Sequence, residues 1–152
     1  MYDTDEVLRN YIGCALWSTT DESTPEGGEP MDANYGPEDI APDSLARMRE
    51  DVVAFLATIE RERPGVTTMM EGTAPWSDPG QVGYDLWLTR NHHGTGFWDR
   101  WYAYDAWTDG DGVEHPARGN AVNAELGDYL TKHAEDMGSA DLLIGDDGQV
   151  HM

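Results

Sequence analysis

The sequence predicts an α+β domain in which three helices pack on a small twisted antiparallel sheet of about four to six strands. Three observations lead there. Apolar residues recur at three- and four-residue spacing in three separate stretches. Apolar and polar residues alternate over residues 84–90 and 96–104, and clusters of Gly and Asp punctuate the C-terminal half as turns. At 152 residues the chain has the length of one ordinary domain, read as residues 1–152 with a long acidic loop at 18–42.

The first helix covers residues 5–17. Val7, Leu8, Tyr11, Ile12, Ala15 and Leu16 form its apolar face, Asp3 or Thr4 can cap its start, and acids occupy its first turn. Residues 18–42, STTDESTPEGGEPMDANYGPEDIAP, are rich in Pro, Gly and acids without a period, which predicts a long loop. The clearest helix runs over 42–63, with Leu45, Met48, Val52, Phe55, Leu56 and Ile59 on its buried stripe and Pro64 and Gly65 as its stop. A short strand is expected at 66–70. Two more, YDLWLTR at 84–90 and GFWDRWYAY at 96–104, are joined by residues 91–95 into a hairpin. Another begins near Gly112, after the turn residues TDGDG. Asn120 or Asn123 can cap a last helix running through Met137, with Leu126, Leu130, Ala134 and Met137 inward and Gly138 as its left-handed terminator. The chain closes on two short strands, 142–144 and 149–151, around a turn at 146–148 whose Asp-Gly step suits positive φ.

Charge narrows the function. Thirty Asp and Glu stand against nine Lys and Arg, a formal net charge of −21. Nucleic-acid binders gain affinity by neutralising phosphates with Lys and Arg, so direct binding to nucleic acid is excluded, and anionic membranes by the same argument. Residues 1–51 carry 13 acids and three bases, 52–100 six and four, and 101–152 eleven and two, so the acidity lies in the flanks. One meaning of such a balance is solubility. The other is imitation of DNA: B-DNA carries one charge per roughly 1.7 Å of axis, and carboxylates along a domain about 40 to 50 Å long can present a comparable line. Candidate partner-binding residues are therefore Glu38, Asp39, Asp43, Asp109, Asp111, Asp146 and Asp147.

Cys14 is the only cysteine, which rules out an intrachain disulfide or a cysteine zinc cage and fits a reducing cytoplasm. The N-terminal stretch lacks a basic region followed by an apolar core, and no apolar run approaches ~20 residues, so a protein of the bacterial host cytoplasm is expected.

The conspicuous chemistry is WLTRNHHGTGFWDR, residues 87–100. Asp85 or Asp99 with His93 can form an acid/base pair, and Arg90 or Arg100 can hold an anion, so Asn91, His93, Asp99 and Arg100 make an alternative ligand site. The competing structural reading makes Asp85, Arg90, Asp99 and Arg100 cross-strand ion pairs on a wet face, with Trp87 or Leu88 and Phe97 or Trp98 inward. Spacing favours the second. No nucleophile elbow, Walker loop, zincin helix or dinucleotide fingerprint accompanies these residues, and no catalytic residue is assigned. Adjacent His92 and His93 point apart in an extended segment, and Asp109, Asp111 and Gly112 aligned on a calcium loop place Trp107 first and Arg118 twelfth; neither metal nor cofactor is expected.

GYDLWLTRNHHGTGFWDR, LGDYLTKHAE and DLLIGDDGQV, with CALWSTTDE and MDANYGPEDIAPDSLARMREDVVAF upstream, resemble a family of small accessory proteins encoded by tailed bacteriophages, prophages and related mobile elements. Its patterns are WLTRNxHGxGFWDR and a C-terminal DLxIGDDGxV hairpin. The similarity covers most of the chain, and the family has no established reaction to carry over. Members usually have glycine where His92 stands, while Asn91 and His93 match. Residues 25–29 and WYAYDAWTDGDGVEHPARGN are longer than in typical members. The resemblance leads to the expectation of a phage accessory protein, and the charge to a non-enzymatic one that binds a host protein with a basic surface, in its sharper form as an acidic DNA mimic inhibiting a nucleic-acid-binding or defence protein. Alternatives are a small enzyme or ligand-binding domain using residues 91–100, and a virion or assembly component.

Overall fold

The computed structural model describes residues 2–71, 78–100, 107–108, 110–116 and 124–152. The chain is predominantly helical. In order it forms α1 (Thr4–Ser18), β1 (Thr20–Asp21), β2 (Glu29–Pro30), α2 (Pro42–Glu62), α3 (Val66–Glu71), α4 (Pro79–Arg90), β3 (Trp107–Thr108), β4 (Glu114–His115), α5 (Ala124–Asp136), β5 (Leu143–Ile144) and β6 (Val150–His151). Single 3-10 turns occupy Met31–Ala33, Pro37–Asp39 and Phe97–Asp99. Among the described residues the strands pair with one another as antiparallel two-residue ladders, β1 with β2, β3 with β4 and β5 with β6. The predicted sheet of four to six strands under three helices is therefore wrong: helices pack on helices, and the strands are hairpin stems.

The correction centres on α4. YDLWLTR is its second half rather than a strand, because the whole of Leu86 to Arg90, with Val82, Gly83 and Asp85, is buried. A helix covered on nearly every side has no wet face, and so loses the 3.6-residue stripe that identifies an amphipathic helix. Asp78 caps it through a bond from the Gln81 N–H at 2.9 Å, and Pro79 opens it. Residues 66–70 are helical too. The Glu60 carboxylate accepts from the N–H groups of Gly65 (2.6 Å) and Thr67 (3.3 Å) and from the Thr67 hydroxyl (2.7 Å), so α2 itself caps the start of α3. Burial pushes the Glu60 carboxyl up, and these bonds outweigh it and hold it below its ordinary value. The strand expected at 96–104 is a 3-10 turn at its start, and residues 101–106 lie outside the described residues.

Other expectations hold. α1 begins at Asp3, whose carboxylate accepts from the N–H groups of Asp5 and Glu6, and it buries the apolar face expected for it. α2 spans almost the expected range, burying Met48, Val52, Phe55, Leu56 and Ile59, although Leu45 is exposed. α5 is followed by Gly138 at φ +78°, the left-handed terminator expected there. The capping asparagines proposed for it lie outside the described residues. The C-terminal hairpin forms around the expected turn, and the strand expected near Gly112 is β4, which begins at Glu114 and pairs with β3. The long loop is organised by the β1–β2 hairpin and two 3-10 turns; Asp21, buried, accepts from the Ser23 N–H and hydroxyl and from Asn34.

α1 and α4 run side by side in the same sense and form the centre. Gly83 packs directly on the α1 backbone: a Cβ there would stand 2.3 Å from the Val7 carbonyl oxygen and 2.8 Å from the Tyr11 nitrogen. One turn later the Trp87 ring meets Tyr11 edge-on at 5.2 Å, and its indole N–H donates to the Ser18 hydroxyl at 2.9 Å. α2 closes one side, with Phe55 stacked on Phe97 at 5.5 Å, and α5 packs over the Phe97–Asp99 turn. In consequence α1, α4 and α5 all end at the same end of the molecule.

Candidate functional site

That shared end is built around Arg90. Its guanidinium donates to the Asp51 carboxylate (2.5 Å), the Tyr11 hydroxyl (2.6 Å) and the carbonyls of Gly138 (2.8 Å) and Met137 (3.3 Å). Helix C-termini carry about half a negative charge each in unpaired carbonyls. Arg90, on the last turn of α4 and bonded to the end of α5, is the internal cation of this convergence. Burial works against its charge, and Tyr11 and Asp51 outweigh that, so it stays charged. Burial likewise pushes the Tyr11 hydroxyl up, against the pull of Arg90.

The NHHG segment terminates α4; it is not a strand connection. His92 donates its N–H to the Thr89 carbonyl at 3.1 Å and His93 to that of Leu88 at 3.0 Å, with His92 at φ +56°. This pair of reversed bonds around a left-handed residue is the Schellman ending, which glycine adopts most easily. Histidine fills this left-handed position at a conformational cost.

The alternative ligand site does not assemble as one constellation. The Asn91 amide donates to the Trp87 carbonyl and accepts from the Ala140 N–H at 2.8 Å, tying α4 to the segment after α5. Arg100 grips Asp85 with its Nε and Nη2 at 2.7 to 3.1 Å, and Gln81 adds a bond at 2.9 Å. Asp85 is fully buried, and burial pushes its carboxyl up despite these partners. Of the four residues expected as cross-strand ion pairs on a wet face, Asp85 and Arg100 do pair, but buried between helix and turn, and Arg90 pairs with Asp51 on α2 instead. Asp99 accepts from Thr95 at 3.2 Å on the surface. Trp87, Leu88 and Phe97 are all inward, whereas Trp98 is exposed.

His93 instead borders a cleft of about 440 Å³ with Thr19, Thr20, Asn91, Ser139 and Asp141, floored by Trp87. Thr19, Thr20, Ser139 and Asp141 were not singled out from sequence. They follow two helix ends far apart in the chain, and only recognising that α1, α4 and α5 finish together would have gathered them.

The acidic candidates divide. Ile40 forms a parallel bridge to Val150, the Ala41 N–H donates to the Val150 carbonyl at 2.8 Å, and the Met152 N–H to the Ser44 hydroxyl at 2.9 Å. The start of α2 is thereby fastened to the β5–β6 hairpin. This sets the segment carrying Glu38, Asp39 and Asp43 beside the hairpin carrying Asp146 and Asp147; all five are exposed except the half-buried Asp39. Asp39 also accepts from the Gly36 N–H, and Asp147 from the Gln149 N–H and from His151, which hold the Asp147 carboxyl below its ordinary value. Arg47 donates to the Met152 carbonyl on the same part of the fold. Asp111 sits on the separate β3–β4 turn, and Asp109 lies outside the described residues.

Among the described residues no group of three or more His, Cys, Asp and Glu is placed to hold a metal ion. His92 faces Glu135, His133 faces Glu62 and His151 faces Asp147. Nor, among them, is any helix long and apolar enough to cross a membrane. Comparison of the chain with protein-family models, with curated proteins and with solved structures gives no match.

Proposed function

We propose that the protein is a non-enzymatic accessory protein of the bacteriophage type that binds a basic host protein, occupying the surface with which that protein holds nucleic acid. The observation that supports this reading is the Ile40–Val150 bridge, which sets the segment carrying one acid group beside the hairpin carrying another, distant in sequence. Six of the nine cations support it by their positions. Arg90 and Arg100 are held inside against Asp51 and Asp85, while Arg49, Arg61, Arg63 and Lys132 pair with Asp5, Glu62, Glu125 and Asp136 on the surface. The excess negative charge is left to solvent, where it steers a positive partner and makes association sensitive to salt.

The experiment is capture of host proteins on the immobilised chain at low salt, with and without competing duplex DNA. A basic nucleic-acid-binding protein should be retained, and be displaced by DNA and by roughly physiological to high salt. Retention indifferent to both would sink the reading.

A further inference from the structure

We propose that the cleft where α1, α4 and α5 end is a binding site for a guanidinium group, the side chain of an arginine on the partner. α1, α4 and α5 end beside it, so the negative ends of three helix dipoles lie there. Arg90 bonds the Met137 and Gly138 carbonyls from the interior and is not part of the cleft's lining, which contains neither lysine nor arginine among the described residues. Asp141, Thr19, Thr20, His93 and Ser139, whose hydroxyl donates to the Arg90 carbonyl, line it over a floor formed by the nearly buried Trp87.

This set selects among cations. A guanidinium is a flat group with five donors and no acceptor, able to stack on ring faces while donating in its plane to carboxylate and hydroxyl oxygens. An ammonium shares the charge but not the plane. Anions are opposed by Asp141 and by the helix ends alike. The volume of about 440 Å³ lies within the range of ligand sites. Asp141 leads directly into β5, so the cleft and the acid-bearing hairpin belong to one continuous C-terminal segment. The origin of the guanidinium in a basic partner rests on the function proposed above; the chemistry of the cleft does not.

The test is an amide-resolved NMR titration of the full chain with argininamide, lysinamide and citrullinamide, and with a blocked Gly-Arg-Gly peptide. Argininamide should shift the amides of Thr19, Thr20, His93, Ala140 and Asp141 and the Trp87 indole N–H. Asp141→Asn should weaken this roughly three- to fivefold, the effect of a partly exposed ion pair, while Asp128→Asn, an equal charge change at an exposed position early in α5, leaves it nearly unchanged. Shifts scattered over the acidic surface, equal binding of citrullinamide, or equal loss in Asp128→Asn would overturn the site. Tighter binding of lysinamide would overturn the choice of guanidinium. Exclusion of the peptide while argininamide binds would overturn its origin in a partner side chain. Partner affinity unchanged by Asp141→Asn would likewise refute that origin and leave the proposed function standing.

Discussion

Replacing Arg90 by Met removes the guanidinium while keeping most of the stem that packs between α4 and α5. It leaves Asp51 without its counter-ion, the buried Tyr11 hydroxyl without its short bond, and the carbonyls of Met137 and Gly138 without a donor. Breaking a buried ion pair by deleting one partner costs about 3 to 5 kcal/mol. The Asp51 side chain is 28% exposed, so water recovers part of its solvation, whereas the Arg90 side chain is 5% exposed. The lost bonds to neutral groups add about 1 kcal/mol each at most, without full additivity. A net loss of about 3 to 4 kcal/mol is expected, read as the shift of the urea midpoint at pH 7 with an unchanged slope. Asp51→Asn keeps an acceptor and should cost about 1 to 2 kcal/mol. In the double variant the penalties should be strongly non-additive, because neither charge is then stranded. A loss below about 1 kcal/mol in Arg90→Met would refute the view that this residue ties α4 to α1, α2 and the segment after α5.

Three other substitutions or conditions test the fold. Gly83→Ala should destabilise by roughly 3 kcal/mol, since α1 and α4 must part to admit the methyl; helix propensity alone predicts a gain of about 1 kcal/mol, so a stabilised variant contradicts the close contact. At His92 the left-handed backbone makes glycine the better fit. His92→Gly should gain about 0.5 kcal/mol after the flexibility of glycine and the loss of the Glu135 contact, and His92→Val should lose more than about 1 kcal/mol; thermal melts that rank them otherwise remove the Schellman ending. Burial raises the Cys14 thiol from 9.0 to about 12, with Asp85 adding to it, and the Tyr129 hydroxyl from 10.0 to about 12, with Glu62 adding. Above pH 9 the unfolded chain releases protons that the folded one retains, so stability should fall as pH rises from 9 toward 12. The urea midpoint should drop across that window, and the native thiol should resist a thiol reagent at pH 8; a flat midpoint contradicts this.

Amphipathic elements were legible in the sequence and the central one was not. α1, α2 and α5 each leave one face in water, and their stripes locate them to within a few residues. α4 is enclosed, and its run of Tyr, Leu, Trp and Leu mimics the alternation of a strand. Its boundaries were nevertheless written: Asp78 followed by Pro79 is a helix start, and Arg90 followed by Asn91 suits an end. The β-branched residues of α3 point to a strand when taken locally, and the carboxylate that caps it comes from Glu60, on the preceding helix. Hairpins set by Asp-Gly turns were read correctly because their geometry is local. The site followed the same division. The acids were identifiable by composition, but the bridge that sets two acid-bearing segments side by side is a tertiary contact, and the cleft lies at helix ends contributed from three parts of the chain.

Everything proposed for the function turns on whether the face at the start of α2 and the β5–β6 hairpin makes the contact. The direct measurement is affinity for the captured partner as a function of salt, for the native chain and for a variant carrying Glu38→Gln, Asp39→Asn, Asp43→Asn, Asp146→Asn and Asp147→Asn. These changes retain the oxygens that Asp39 and Asp147 use for the N–H groups of Gly36 and Gln149, so the fold should survive, as circular dichroism can verify. The native chain should lose affinity steeply with salt, and the variant should bind at least about tenfold more weakly with a much shallower dependence. Equal affinity and equal salt dependence in the two proteins would contradict the assignment of function to this face.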